Sequence, residues 1–226
     1  MSPGSQMPSS GGWVSRKHRP PQSTHTISGS GTSTAPVCRT RAPDPSSTVG
    51  GSVPSMRVVA GEFGGRKLVA PEGLTTRPTT DKVRQAVFNS LESMGLIDDA
   101  VVADLFAGSG AMGIEALSRG AARCTFVERD RSALAALKVN LDALRLGDRA
   151  TVVTSDVMAW VPAMRGVDLA LVDPPYSFDA WPQLLALLQV DYVLCESARE
   201  VPAPDGWDTV RAKQYGRTAV TLLARA

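Results

Sequence analysis

From Val101 onward, the hydrophobic residues of this chain form an alternating series of strand-like and helix-like segments. Short apolar runs such as VVADLF and CTFVE alternate with segments such as SALAALKVNLDALRL, whose apolar residues recur every three to four positions. Short apolar runs are typical of buried strands, and the longer recurrence is typical of amphipathic helices. The repetition predicts a parallel sheet with helices on both faces.

The end of the chain departs from this alternation. The last two predicted strands, near WDTVRAKQ and TAVTLLAR, are joined by roughly three residues, YGR. Because a parallel crossover needs a dozen or more residues, this pair must be antiparallel. The predicted fold class is therefore α/β and Rossmann-like, with a mostly parallel sheet that ends in an antiparallel hairpin.

A smaller element precedes the predicted sheet. Two short β-like runs flank a Gly-Gly pair in RVVAGEFGGRKLV, residues 57–69, and predict a hairpin. Apolar residues then recur at helical spacing and predict one amphipathic helix over about 80–94. We predict a hairpin-and-helix extension over 56–95, ahead of a larger domain over 96–226.

Residues 1–55 differ in composition from the rest of the chain. Ser, Thr, Pro and Gly occupy 34 of these 55 positions, which leaves little apolar surface to bury. We expect a disordered tail, with Met56 as the natural first residue if the start is mis-assigned. Both histidines, His18 and His25, lie in this tail. The remaining chain therefore has no Ser-His-Asp triad, histidine base or histidine metal ligand.

Charge and cysteine content narrow the class of protein. The formal net charge is +2, so a wholly polybasic protein is excluded but a basic patch is not. Cys38, Cys124 and Cys195 are far apart and form no CxxC motif, which disfavours a disulfide framework or a zinc site. No apolar run reaches the roughly 18–20 residues of a membrane helix. We expect a cytoplasmic, monomeric protein without a metal site.

A glycine-rich segment follows the first predicted strand of the sheet. DLFAGSGAMG contains GxGxxG between a strand and a helix, and Glu128 ends the next strand 20 residues after Gly108. Such glycines let the backbone approach a ligand, and such a carboxylate accepts hydrogen bonds from ribose hydroxyls. We predict a nucleoside-binding site, which by this pattern alone holds either NAD or S-adenosylmethionine. Its predicted contacts are Asp104, Phe106, Ala107, Gly108, Ser109, Gly110, Glu128, Arg129, Asp156 and Val157.

Two of these acids have alternative roles. Asp104 lies within the first strand, where a dehydrogenase strand is usually apolar, and it either braces the glycine loop or accepts from a cofactor amino group. Asp156 ends the third strand, where it either reaches an adenine amino group or caps a helix. The position of Asp104 favours S-adenosylmethionine over NAD.

The most specific motif is Asp173-Pro174-Pro175-Tyr176, at the end of the predicted fourth strand. Prolines carry no N–H group, so this strand exit offers acceptors: the Asp173 carboxylate and the Pro174 carbonyl. Both accept hydrogen bonds from an amino group, and Tyr176 offers a face on which a base stacks. We interpret the motif as a site of methyl transfer to an exocyclic amine, the alternative being a rigid turn.

The motifs DLFAGSG, VER and DPPY together resemble class I S-adenosylmethionine-dependent methyltransferases that act on exocyclic amines. The opening RVVAGEFGGRKL, followed by RPTTDKVRQAVFNSL, is similar to the bacterial 16S rRNA guanine-N2 methyltransferases that modify guanine 966. The resemblance covers about residues 57–226. It implies a seven-stranded class I fold, S-adenosylmethionine as cofactor, and 16S rRNA in the small ribosomal subunit or an assembly intermediate as substrate.

The resemblance also assigns residues. It maps Asp173, Pro174 and Tyr176 to the amine-binding motif, in which Pro175 also lies. It maps Gly108, Gly110, Glu128 and Asp156 to cofactor contacts, and Arg77, Pro78 and Thr79 to a segment beside the site.

Basic residues cluster near the predicted extension and give it a local charge of +3 over 57–84. We predict a phosphate-binding edge, with ordinary solvated surface charge as the alternative for each residue. The predicted RNA contacts are Arg57, Arg66, Lys67, Arg77, Lys82 and Arg84. Arg211, Lys213 and Arg217 near the last turn extend this edge.

Three other functions stay open at this stage. An adenine-N6 or other amine methyltransferase acting on DNA or RNA shares DPPY, although a DNA enzyme usually needs a further target-recognition domain. A nicotinamide dehydrogenase explains GxGxxG but neither DPPY nor the antiparallel end. A non-catalytic RNA-binding module explains the basic edge but leaves the intact motifs without a role.

Overall fold

Seven strands form a single mixed sheet in the computed structural model, which describes residues 56–71 and 81–226. The strands are β1 (Val101–Leu105), β2 (Arg123–Glu128), β3 (Ala150–Thr154), β4 (Leu169–Val172), β5 (Tyr192–Ser197), β6 (Trp207–Tyr215) and β7 (Thr218–Arg225). Their order across the sheet is β3-β2-β1-β4-β5-β7-β6. The first five strands run parallel, and β7 pairs antiparallel with both β5 and β6. The predicted fold class, including its antiparallel end, is confirmed.

Five helices connect or precede these strands in the described part of the chain. They are α1 (Asp81–Ser93), α2 (Ala111–Ser118), α3 (Arg131–Leu144), α4 (Val157–Trp160) and α5 (Trp181–Leu187). The helix predicted over about 80–94 is α1. Helix α4 was indicated only by Asp156 as an alternative helix cap, and the 3₁₀ turn Val161–Ala163 that follows was not predicted, because one helical turn is too short to show a period.

Helices cover both faces of the sheet, as predicted. On one face, buried side chains of α1, α2 and α3 pack against the sheet, among them Leu91, Ile114 and Leu137. We call this the α1 face. On the other face, α4 and α5 pack through Val157 and Leu184. Each of these fully buried aliphatic side chains contributes about 1.5–3 kcal/mol of burial free energy.

Successive residues of each strand point to opposite faces, which fixes the direction of the side chains near the site. In β4, Leu171 packs on the α1 face and Val172 on the α4–α5 face. In β5, Leu194 packs on the α1 face and Cys195 on the opposite one.

The predicted hairpin is present as a single antiparallel bridge, between Arg57 and Lys67, and not as two strands. The Val58 N–H donates to the Arg66 carbonyl at 2.9 Å, and a turn at Gly65, with φ +82°, reverses the chain. Backbone hydrogen bonds inside this turn region satisfy part of its polar groups, and the remaining N–H groups depend on partners elsewhere.

Buried side chains of α2 and α3 provide those partners. Glu115 accepts from the N–H groups of Val59 at 2.7 Å and Ala60 at 3.1 Å. Asn140 accepts from the Val69 N–H at 2.7 Å and donates to the Val69 carbonyl at 3.0 Å. Hydrogen bonds between backbone and buried side chains therefore attach the extension to the helices of the larger domain.

The described residues all belong to one compact unit, Gly50–Ala226. The tail predicted over 1–55 lies outside the described residues, and the division between 95 and 96 stays a prediction. Within 56–71 and 81–226, no helix combines the length and hydropathy needed to cross a membrane.

Candidate active site

Three glycines after β1 serve different structural purposes. A Cβ at Gly110 would lie 2.4 Å from Leu137 Cδ1, and one at Gly113 would lie 2.4 Å from Phe126 Cε1, so close packing explains both. Gly108 has φ +55°, but a Cβ there would find only the Phe106 carbonyl oxygen, at 4.0 Å. Gly108 is therefore the position where the loop backbone is open to a ligand.

Glu128 joins this loop to the end of β2. Its carboxylate accepts from the N–H groups of Gly108 at 2.8 Å, Arg129 at 2.7 Å and Asp130 at 2.8 Å. Two carboxylate oxygens offer about four acceptor positions, and the side chain is only half-buried. Three backbone donors thus hold Glu128 in place while it keeps capacity for a ligand hydroxyl.

Asp104 braces the start of α2. Its carboxylate is buried and accepts from the Gly113 N–H at 2.8 Å. Burial raises the pKa of Asp104 to about 8; the Gly113 hydrogen bond opposes this shift, and the nearby Glu128 charge adds to it. Of the two roles left open for Asp104, the structure contains the brace, and a contact with a cofactor stays a prediction.

Asp156 caps the N-terminus of α4, which is one of the two roles predicted for it. Its side chain accepts from Met158 N–H at 2.9 Å and pairs with Arg129 at 2.7 Å, at exposed positions. This ion pair connects the ends of β2 and β3. Val157, next along the chain, is buried in the core, so only its backbone is available to a ligand.

Two further predicted contacts have buried side chains. Ala107 is 8% exposed. Ser109 is also 8% exposed, and its hydroxyl lies 3.7 Å from Met56 Sδ. Because their side chains are buried, only the backbone atoms of these two residues are available to a ligand.

The DPPY segment leaves the sheet beside this glycine loop. Val172, the last residue of β4, is paired in register with Leu105, the last residue of β1. Asp173 and Phe106 are the next residues on the two strands. Beyond them, Pro174 is buried and Tyr176 is 62% exposed. The loop thus offers both the acceptor-rich strand end and a free aromatic face.

Aromatic rings connect the two loops. Phe106 and Phe178 meet edge to face with centroids 5.3 Å apart, and Phe178 meets Trp181 in the same way at 5.3 Å. Phe106 has φ +64°, a left-handed conformation that costs a non-glycine residue roughly 1–2 kcal/mol. Sequence reasoning missed Phe178 and Trp181, although aromatic residues shortly after DPPY were a visible signal.

Sequence reasoning also missed Glu196. This residue lies near the carboxyl end of β5, next to β4 in the sheet, and is 6% exposed. The signal was the one that identified Asp104: a carboxylate within an apolar strand, here VDYVLCES. Four acids therefore surround the carboxyl ends of β1, β2, β4 and β5.

Comparison with known proteins places the chain in a family. Residues 56–224 match the family model described as conserved hypothetical protein 95. The chain belongs to this family.

Members and neighbours of the family carry consistent names. Ribosomal RNA small subunit methyltransferase D from Escherichia coli is 38% identical over 182 residues, 75% of this chain and 90% of its own length. YlbH from Bacillus subtilis, provisionally named an rRNA methyltransferase, is 39% identical over 187 residues, 75% of this chain and 99% of its own length. The structure of yhhF from Escherichia coli, provisionally named a methyltransferase, matches with a TM-score of 0.66 at 39% identity, covering 76% of this chain and 98% of that one. The fold is that of class I methyltransferases.

Three of the predicted RNA contacts in the predicted extension are exposed. Arg66, Lys67 and Lys82 all point their charges toward solvent. Arg57 is also exposed, but its guanidinium pairs with Asp81 at 3.2 Å. Arg77, with Pro78 and Thr79, lies outside the described residues.

The prediction for Arg84 is wrong. Its side chain is 1% exposed, lies 3.0 Å from Asp81 and 3.6 Å from Glu115, and donates to the Arg57 carbonyl. The physical reason is the helical period, which places position 84 on the same face as Val87 and Leu91. Arg84 therefore stabilises the attachment of α1 and is not available to a phosphate.

The last hairpin carries a second set of exposed basic residues. Arg211 and Lys213 lie on β6, and Arg217 lies in the turn before β7. Arg211 donates to the Ser90 hydroxyl at 2.8 Å, and the Lys213 ammonium lies 5.0 Å from the centre of the Tyr215 ring. Because the turn follows the carboxyl end of β6, which runs parallel to β5, it lies at the same edge as the DPPY loop.

Proposed function

We propose that this protein transfers a methyl group from S-adenosylmethionine to the N2 amine of guanine 966 in 16S rRNA. The observation that carries the proposal is the position of DPPY, which leaves β4 next to the glycine loop that leaves β1 and contains the open Gly108. The names of the relatives support rRNA as the class of substrate. The choice of guanine, and of its N2 amine, as the target rests on the family resemblance of the DPPY and RPT segments.

The residues present fit this cofactor. The open space at Gly108 is a cradle that a Cβ would fill, and Glu128 and Asp156 supply acceptors at the ends of β2 and β3. We expect Glu128 to accept from ribose hydroxyls and Asp156 to accept from the adenine amine. When bound, S-adenosylmethionine supplies an electrophilic methyl group on a sulfonium sulfur.

Asp173 and Pro174 prepare the amine for this reaction. In a free base, the nitrogen lone pair is delocalised into the ring. Two acceptors on the N–H groups, the Asp173 carboxylate and the Pro174 carbonyl, favour a tetrahedral nitrogen with its lone pair directed outward. The carboxylate also stabilises the positive charge that develops on nitrogen.

Orientation of the reacting atoms also contributes to the rate enhancement. Holding the nitrogen in line with the methyl carbon contributes up to about 7–11 kcal/mol. Tyr176 is free to stack on the base, an interaction of about 1–3 kcal/mol. No strong base is required, since the proton becomes acidic once nitrogen is alkylated, and the part of the chain after residue 55 contains no histidine.

We infer that the substrate is the small ribosomal subunit or an assembly intermediate, met in the cytoplasm. Arg66, Lys67 and Lys82 form one set of candidate phosphate contacts, and Arg211, Lys213 and Arg217 form the other. A net charge of +2 is low for tight binding to naked duplex RNA. Rates on naked 16S rRNA and on small subunits test this inference, and equal rates contradict it.

The deciding experiment identifies the methylated nucleoside. Small subunits that lack the modification are incubated with the protein and labelled S-adenosylmethionine, and the RNA is digested to nucleosides. We expect N2-methylguanosine. N6-methyladenosine would preserve the DPPY chemistry and overturn the base, and the absence of label despite cofactor binding would overturn the rRNA substrate.

A further inference from the structure

A second acid lies beside Asp173 at the carboxyl edge of the sheet. Strands β4 and β5 are parallel neighbours, and their last paired residues are Val172 and Cys195. The next residues on the two strands are Asp173 and Glu196. Because neighbouring strands are about 4.8 Å apart, these two residues start from adjacent positions.

Both side chains belong to the α1 face. Residue 171 and residue 194 pack there, and residues 172 and 195 pack on the opposite face. A residue that precedes a proline keeps an extended backbone, so the alternation continues through Asp173. Glu196 pairs with Val220 of β7, whose side chain also packs on the α1 face.

Strand order separates Glu196 from the predicted cofactor side. The glycine loop and Glu128 follow β1 and β2, on one side of β4. Glu196 follows β5, on the other side of β4. A base that brings its amine to Asp173 must approach from the side that the cofactor leaves free, and Glu196 lies on that side.

The chemistry of the guanine edge matches this arrangement. Guanine carries an N1–H beside its N2 amine, so that both groups are donors. In adenine, the N1 beside the amine is an acceptor. An ionised carboxylate only accepts hydrogen bonds, so it complements the first edge and repels the second.

We propose that Glu196 accepts the N1–H of the target guanine while Asp173 and Pro174 hold its N2 amine. Glu196 is thereby the residue that selects guanine. This inference rests on the proposed function and deepens it by naming the group that reads the base. A solvated surface role does not fit a side chain that is 6% exposed.

The test replaces the target guanine with 2-aminopurine, which keeps the N2 amine but has an acceptor at N1. A synthetic rRNA segment carrying either base is ligated into 16S rRNA and assembled into small subunits. We expect the wild type to prefer guanine by at least ~100-fold in kcat/KM, because a site built to accept a hydrogen bond rejects an analogue without the donor.

Glu196→Gln changes the chemistry at one atom. The amide N–H donates to N1 of 2-aminopurine, so we expect the guanine preference to fall at least about tenfold, with S-adenosylmethionine affinity unchanged. Glu196→Asp keeps the carboxylate and is expected to keep the preference at a lower rate. Glu200→Gln, an exposed acid four residues further on, is the matched control and is expected to behave as wild type.

These measurements distinguish a failure of the Glu196 inference from a failure of the proposed function. Equal losses on guanine and 2-aminopurine in Glu196→Gln would show a structural role only and overturn the inference, while the proposed function stands. A Glu196→Asp protein that loses the preference would also overturn it. A wild type that leaves guanine subunits unmethylated would overturn the proposed function, and the inference with it.

Discussion

The two halves of the sheet's carboxyl edge are built differently. Around β1, β2 and β3, the acids Asp104, Glu128 and Asp156 all accept hydrogen bonds from backbone N–H groups nearby. On the β4 side, Tyr176 is 62% exposed and the basic residues of β6 are solvated. The first half is held rigid by the protein itself, as a small ligand of fixed shape requires. The second half instead exposes an aromatic ring and basic side chains at the surface, where a large partner can reach them.

The largest effect that separates the halves is expected for Asp173→Ala. Removal of the carboxylate leaves the amine without its charged acceptor, so methylation should fall by at least about 10³-fold. Binding of S-adenosylmethionine, measured by calorimetry, should stay near wild type, because the proposed cofactor contacts belong to the other half. Near-normal turnover in this variant contradicts the mechanism, and loss of cofactor binding contradicts the division into halves.

Gly108→Ala is expected to produce the converse result. The new methyl group meets no protein atom closer than 4.0 Å, but it enters the space assigned to the cofactor, and φ is +55°. We expect cofactor affinity to fall at least about tenfold, with a modest loss of stability. Gly147→Ala, at a position with no atom within 4 Å and no positive φ, is the control. Unchanged affinity in Gly108→Ala would remove this loop from the cofactor site.

Substitutions of exposed basic residues test whether the hairpin-and-helix extension contacts RNA. Arg66→Ala combined with Lys67→Ala should weaken binding to small subunits and reduce the salt slope of the binding constant by about 2. Arg84→Ala should instead lower the free energy of unfolding by about 3 kcal/mol, because it leaves the buried Glu115 with less compensation. Its salt slope should match wild type.

Filter binding over a series of salt concentrations measures these slopes. Arg123→Ala combined with Lys138→Ala removes two exposed charges, at the amino end of β2 and on α3, and serves as control. If the control changes the slope as much as the first pair does, net charge and not local contact explains the binding.

The prediction that bears least on the contrast between the two halves is a pH dependence of stability from Asp104. Its pKa in the folded protein is about 8, above the ordinary value of 3.8, so the folded state holds this proton more tightly than the unfolded chain. The contribution is therefore fully present below about pH 4 and is lost as the pH rises through about 8. Asp104→Asn keeps an acceptor for Gly113 and removes the titration. We expect Tm to depend less steeply on pH between 4 and 8 in this variant. Asp205→Asn, at an exposed position, is the control. An unchanged pH dependence in Asp104→Asn would contradict the raised pKa of Asp104.

Local patterns of apolar and polar residues were enough to predict the order and type of most elements. Apolar periodicity and the short link YGR near the end of the chain predict the strands, the main helices and the antiparallel end. GxGxxG and DPPY, placed by this pattern at the ends of β1 and β4, predict the two halves of the site. These are local signals, since each depends on residues within a few positions of one another.

Contacts between distant segments distinguish the charged residues that stabilise the fold from those that face solvent. Arg84 and Arg66 look alike in the sequence, but Glu115, distant along the chain, pairs with the first alone. The proposed role of Glu196 depends on Asp173, which follows the neighbouring strand β4. The helical period of α1 indicates which face is buried, but the partner that compensates a buried charge lies far along the chain, so no local pattern identifies the pairing.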